Sequence, residues 1–215
     1  MQLNKYIDHT LLKPEVAVAQ IIQLCDEAIA FDFAAVCVNP CYVGLAAHLL
    51  AGTSVKTATV IGFPLGATTT AVKVFEAQAA VKAKADELDM VINIGAVKAG
   101  QWDAVLAEMQ AVVAAAEDKI VKVIVETALL TTDEKHRVCE QVLQSGASFI
   151  KTSTGFAASG ATVEDIVLFK AMIGDTSRCG IKASGGIKTR EQAAAMIAAG
   201  ATRLGTSSGV SIVNG

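Results

Sequence analysis

Eight short runs of apolar and β-branched residues recur along this chain, and each is separated from the next by a longer stretch of helical character, often rich in alanine. The strand-like runs are 6–10, 34–39, 56–63, 87–93, 121–127, 149–153, 180–184 and 202–206. The helical stretches between them are 15–30, 42–51, 70–84, 102–115, 132–144, 163–173 and 189–199. Strands that alternate with helices pair in parallel, and eight such units suit a closed (β/α)8 (TIM) barrel. An open doubly wound sheet has fewer strands, and its early Gly-x-Gly-x-x-Gly turn is not found here. A chain of 215 residues, 53% of them hydrophobic, is large enough for one α/β barrel domain spanning 1–215. Helix punctuation agrees. Thr132-Asp133-Glu134 and Thr162-Val163-Glu164-Asp165 put capping and acidic residues at helix starts, and Gly52, Gly146 and Gly200 follow helical segments.

Charge and composition narrow the function. A net charge of −3 provides no general attraction to nucleic acid or to an anionic membrane, so any bound phosphate needs a local site. The first residues contain no apolar core of a signal peptide. The stretch 33–55 has no charged side chain, but Asn39-Pro40 interrupts it, and Gly44, His48 and Gly52 dilute the rest, so it is not read as a membrane span. Cys25, Cys37, Cys41, Cys139 and Cys179 form no CxxC pair, which suits reduced thiols in the cytoplasm. His9, His48 and His136 lack metal-ligand spacing, and neither a metal nor another cofactor is expected.

The chemistry is concentrated in a near-repeat. Ile150-Lys151-Thr152-Ser153-Thr154-Gly155 is echoed one strand–helix unit later by Ile181-Lys182-Ala183-Ser184-Gly185-Gly186. Equivalent positions on neighbouring parallel strands lie roughly 4.8 Å apart, so two lysines are expected to point into one space. One like charge about 4 Å away, at an effective dielectric of about 20, contributes about 4 kcal/mol against protonation. An amine kept neutral in this way can attack a carbonyl and form a Schiff base. Asp89, set between Leu88 and Met90, reads as an inward carboxylate that pairs chiefly with one lysine and leaves the other free. The residues alone leave open which lysine plays which part.

Other polar residues fall at strand ends, where barrel active sites lie: Asp8, Thr10, Cys37, Asn93 and Glu126. Lys122 shares strand parity with Glu126 and reads equally as a structural ion pair or as part of the site. Cys37 reads as a packed, site-facing thiol rather than a nucleophile, and His9, His136 and Trp102 as structural or exposed. After the last two strands, Gly185-Gly186 and Gly205-Thr206-Ser207-Ser208-Gly209 form an expected anion site, extended by Gly155. Glycines let backbone N–H groups approach phosphate oxygens, and Ser207 and Ser208 add hydroxyls.

Seven ordered segments then resemble the deoxyribose-phosphate aldolase family of class I aldolases. They are Ile7-Asp8-His9-Thr10-Leu11-Leu12-Lys13-Pro14, Val36-Cys37-Val38-Asn39-Pro40, Val60-Ile61-Gly62-Phe63-Pro64-Leu65-Gly66 and Glu87-Leu88-Asp89-Met90-Val91-Ile92-Asn93-Ile94-Gly95. Phe149-Ile150-Lys151-Thr152-Ser153-Thr154-Gly155-Phe156, Ile181-Lys182-Ala183-Ser184-Gly185-Gly186-Ile187 and Arg203-Leu204-Gly205-Thr206-Ser207-Ser208 complete the set.

The resemblance implies a metal-independent lyase that reversibly cleaves 2-deoxy-D-ribose 5-phosphate to acetaldehyde and D-glyceraldehyde 3-phosphate. Under it, Lys151 is the Schiff-base lysine, Lys182 the neighbouring cation and Asp89 the relay carboxylate. Asp8, Thr10, Cys37 and Thr154 would line the pocket. Gly155, Gly185, Gly186, Gly205, Ser207 and Ser208 would receive the phosphate. A homodimer is implied in the same way. The C-terminal tail of some longer members is lacking, which leaves open what closes the site. Two alternatives stand beside this reading. One is a Schiff-base barrel aldolase for another phosphosugar or keto acid. The other is a non-catalytic phosphosugar-binding protein, which would not need a strand-borne amine pair.

Overall fold

The structure, a computed structural model, describes residues 2–175 and 179–215. Its first half runs β1 (Ile7–Leu11), α1 (Val18–Ala30), β2 (Ala35–Val38), α2 (Val43–Leu49), β3 (Lys56–Ile61), α3 (Thr70–Lys82), β4 (Glu87–Val91), α4 (Ile94–Lys98) and α5 (Trp102–Ala115). There follow β5 (Ile120–Ile124), α6 (Thr132–Ser145), β6 (Phe149–Lys151), α7 (Val163–Ile173), β7 (Gly180–Ser184), α8 (Arg190–Ala198), β8 (Arg203–Thr206) and α9 (Gly209–Asn214). Each strand pairs in parallel with the next, and β8 pairs with β1 to close the barrel. This is the (β/α)8 architecture expected from the alternation. Among the described residues no helix is long and apolar enough to cross a membrane.

Local chemistry explains most boundaries. The cap of α6 is Thr131, one residue earlier than expected: its side chain accepts from Glu134 N, and Glu134 Oε2 accepts from Thr131 N at 2.7 Å. Gly146 ends that helix in the left-handed conformation at φ 83°. The short α4 was not expected, because five residues are too few to show helical periodicity. Asn93 creates it by ending the apolar run and accepting from Ala96 N at 3.0 Å.

Alternation along the strands sends one set of side chains outward. Ile7, Val36, Leu88, Met90, Val123, Ile150 and Leu204 pack there against Ile21, Ala77, Met109, Val142 and Phe169 from the helices. The other set fills the barrel, which is divided. On β2 and β3 the inward residues Ala35, Cys37, Ala58 and Val60 form a small apolar cluster with Leu12. The remaining strands contribute the charged side chains, along with Val91 and Ile124. The end of β4, which carries Asp89, is pinned from outside. Buried Lys73 pairs with Glu108 at 2.8 Å and donates to Val91 O at 2.8 Å, and Glu108 accepts from Asn93 N at 2.9 Å.

The loop after β3 is held equally tightly. Gly66 has φ +66°, and a Cβ added there would lie 1.9 Å from Ile92 O. Gly66→Ala is therefore expected to cost at least about 2 kcal/mol, read as a fall of roughly 4–8 °C in thermal melting. An unchanged melting temperature would show that the loop can swing away from β4.

Candidate active site

Lys151 ends β6 and pairs in register with Lys182 of β7. The echoed pattern thus becomes a spatial pair. Lys151 Nζ donates to Asp89 Oδ2 at 2.8 Å, and Lys182 Nζ donates to the same oxygen at 2.7 Å. Lys182 also donates to Asp8 Oδ2. The expectation that Asp89 pairs chiefly with one of the two lysines and leaves the other free is not met, because both donate to its Oδ2, and Lys122 reaches its Oδ1 at 2.7 Å. Three neighbouring strands bring these amines to one carboxylate, whose two oxygens have lone pairs for all of them.

The environment separates the two lysines. Burial pushes the Lys151 amine below its ordinary pKa, Asp89 pushes back, and Lys182 adds to the depression, so the net shift is downward. Burial also opposes the charge on Lys182, but Asp8 and Asp89 overcome it and raise that amine above its ordinary value. Burial favours a neutral Asp89, yet Lys122, Lys151 and Lys182 hold it well below the usual carboxylate range. Asp8 is likewise depressed against its burial, by Lys182, Lys122 and Arg203. The arrangement offers an amine that gives up its proton more easily than an ordinary lysine, beside a fixed cation and a fixed anion.

Only one of these groups opens onto space. A cavity of about 370 Å³ at the C-terminal ends of β1, β6, β7 and β8 is lined by Lys151, while Lys182, Asp89 and Asp8 are fully buried and do not line it. Of the expected site residues, Thr10, Thr154, Gly155, Gly185, Gly186, Gly205 and Ser207 do line this cavity. Three of the residues expected to bind substrate do not, and the expected pocket changes accordingly. Asp8 lies one inward position below Thr10 on β1, so its short side chain ends under the floor against Lys182 and Arg203. Cys37 is fully buried in the apolar cluster; burial first and Asp89 second push its thiol up to about 11, against the pull of the lysines. Ser208 precedes α9 and turns its N–H back to Thr206 Oγ1 at 2.9 Å.

The glycines shape the far end of the cavity. Gly185 and Gly186 are consecutive left-handed residues at φ 84° and 80°. Gly160 packs so closely on this turn that an added Cβ would lie 2.1 Å from Gly185 O. Gly205 lines the cavity and also leaves room for a lysine stem, since a Cβ there would meet Lys182 Cε at 3.0 Å. Thr154 is anchored from behind: its N–H donates to Glu126 Oε2 at 3.2 Å, its hydroxyl donates to the same carboxylate, and its Oγ1 accepts from Phe156 N at 3.1 Å. Glu126 reaches it from a left-handed backbone at φ 54°.

Sequence reasoning missed several contributors. Glu87 has the same parity as Asp89, and Arg203 the same parity as Gly205, so both could have been found. Both stand at strand entrances, where charges usually meet solvent. Lys13 and Lys188 on the cavity rim belong to loops, where periodicity carries no signal.

A model of the DeoC/LacD family of aldolases matches residues 3–214. A Streptococcus gordonii protein named deoxyribose-phosphate aldolase is 56% identical over 215 residues, covering 100% of this chain and 97% of its own. A Mannheimia succiniciproducens protein of the same name is 54% identical over 214 residues, covering 100% and 95%. Among solved structures, the tetrameric deoxyribose phosphate aldolase of Aeropyrum pernix superposes with a TM-score of 0.91 at 32% identity, covering 99% of this chain and 89% of that one. The aldolase QR15 superposes with a TM-score of 0.94 at 43% identity, covering 99% and 94%. A buried lysine pair in a closed barrel and a family match along nearly the whole chain agree: this protein belongs to the DeoC/LacD family of aldolases.

Proposed function

We infer that the protein is a class I aldolase, a lyase that reversibly cleaves 2-deoxy-D-ribose 5-phosphate to acetaldehyde and D-glyceraldehyde 3-phosphate. The observation that carries this reading is that Lys151 and Lys182 share one oxygen of Asp89, yet only Lys151 reaches the cavity.

In this reading, neutral Lys151 Nζ adds to C1 of the open-chain aldehyde, and loss of water leaves an iminium. The iminium is an electron sink. When the C3 hydroxyl gives up its proton, its electrons form the carbonyl of D-glyceraldehyde 3-phosphate and those of the C2–C3 bond form an enamine. Protonation of the enamine at C2 and hydrolysis of the imine release acetaldehyde and return the amine. Asp89 and Lys182 stand one hydrogen bond behind Lys151, and a water in the cavity would carry protons between them and the substrate. Thr10 and Thr154 face the sugar. Gly155, Gly185, Gly186, Gly205 and Ser207 surround the phosphate end, with Ser208 starting the helix behind it. Anchoring the phosphate directs remote binding energy to the position of C1.

Product analysis with 2-deoxy-D-ribose 5-phosphate tests this reading: acetaldehyde is the expected product, and its absence with Lys151 still reactive would mean another carbonyl substrate. Ser207→Ala is expected to raise KM about tenfold more for the phosphorylated sugar than for the unphosphorylated one, the effect of losing one hydrogen bond to a charged group. Equal changes would remove Ser207 from the phosphate end. A cytoplasmic homodimer is the accompanying proposal, read by light scattering.

A further inference from the structure

The charged half of the barrel interior closes into a ring. Asp8 bonds Lys182, and Lys182 bonds Asp89 at 2.7 Å. Asp89 pairs with Lys122 at 2.7 Å, and Lys122 with Glu87 at 2.5 Å. Glu87 pairs with Arg203 at 3.0 Å, and Arg203 returns to Asp8 at 2.7 Å. Anions and cations alternate at all six positions, so every carboxylate has two cationic neighbours. Lys151 is not part of the ring; it hangs from Asp89 as a seventh group.

We propose that this ring, through Lys122, Glu87 and Arg203, sets the charge state of Lys151, making these three residues remote positioning residues for imine formation. The proposal rests on the reading of Lys151 as the reacting amine. None of the three lines the cavity, so none is offered contact with substrate. With three carboxylates and three cations already balanced, a proton on Lys151 would leave one net positive charge buried inside the barrel. Such a charge is costly, and the amine is the only member that can lose it without breaking the ring.

Charged and titratable groups face Lys151 from most of the strands. Asp8 comes from β1, the Cys37 thiol from β2, and buried Ala58 and Val60 from β3, whose Lys56, of the same parity, is exposed at the strand's start. Glu87 and Asp89 come from β4, Lys122 from β5, Lys182 from β7 and Arg203 from β8. Glu126, beyond β5, bonds the backbone and hydroxyl of Thr154. A cation removed from the ring lowers the potential at Lys151, favours its protonated form, and delays the free amine to higher pH. An anion removed does the reverse.

Two opposite substitutions test the sign. Trapping by acetaldehyde and cyanoborohydride is followed against pH, and the labelled peptide is mapped. Lys122→Met is expected to move the midpoint of trapping upward by at least about one pH unit, tenfold less free amine at a fixed pH below it. Glu87→Gln, nearly isosteric, is expected to move it downward by a similar amount. The double variant is expected to return close to the parent midpoint. Should Lys122→Met fail to fold, Glu87→Gln and the double variant decide alone. A purely structural role lowers trapping without moving the midpoint. That result, or an upward shift in Glu87→Gln, would overturn the proposal. Label on a residue other than Lys151 overturns the underlying reading instead, so the two failures are distinguishable.

Discussion

Lys151→Ala is expected to abolish covalent trapping by acetaldehyde and to reduce turnover by about 10⁴-fold or more, the scale on which loss of a covalent nucleophile acts. Neither of the two buried amines beside it can take its place. Lys182 is spent on Asp8 and Asp89, and Lys122 on Glu87 and Asp89, all below the cavity floor. Because the ring of charges closes without Lys151, the variant is expected to fold and to melt near the parent temperature. A folded, inactive protein would place the loss in the chemistry. Residual trapping at an appreciable rate would mean that a second lysine reaches the substrate, and the assignment of Lys151 would be withdrawn.

Lys182→Met is expected to have the second largest effect, slowing imine formation by about 10²-fold or more near neutral pH. Its ammonium joins Asp8 to Asp89, and its removal leaves both carboxylates short of a cation. Lys151 then becomes the natural replacement, and a protonated Lys151 balances the interior. The sign is clear: the amine becomes harder to deprotonate, so trapping lost at neutral pH is expected to return as pH rises. Breaking a buried pair typically costs about 3–5 kcal/mol, part of which charging Lys151 recovers here. A pH–rate profile and a melting curve separate the two contributions. Trapping that matches the parent at every pH would show that Lys182 does not govern the amine.

How much of this site could be read in advance depends on distance along the chain. The Lys151–Lys182 pair was legible because one pattern, repeated on consecutive parallel strands, must fall in register, and it does. Asp89 was legible because a charge between apolar neighbours in a strand needs a partner. Depth was not legible. Asp8 and Thr10 differ by one inward position on β1, yet one lies under the floor and the other on the wall. Cys37 faces inward as expected, but the apolar cluster around it keeps it away from the cavity. Glu126 was noted as a strand-end acid. Its hold on Thr154 depends on a left-handed backbone and a contact across 28 residues, which no local pattern announces.

Apolar periodicity, capping threonines and terminal glycines are short-range properties, so the sequence by itself determined the eight strand–helix units and their order around the barrel. It also supplied the residue types a Schiff-base reaction needs and put Lys151 and Lys182 side by side. Only the tertiary structure decided that Arg203 meets Asp8 across 195 residues, that Lys122 meets Asp89 across 33, and that the barrel closes these contacts into one ring. The charge state of an amine is set by every charge within a few ångströms in a water-poor interior, whatever the separation along the chain. That sum exists only once the barrel has closed.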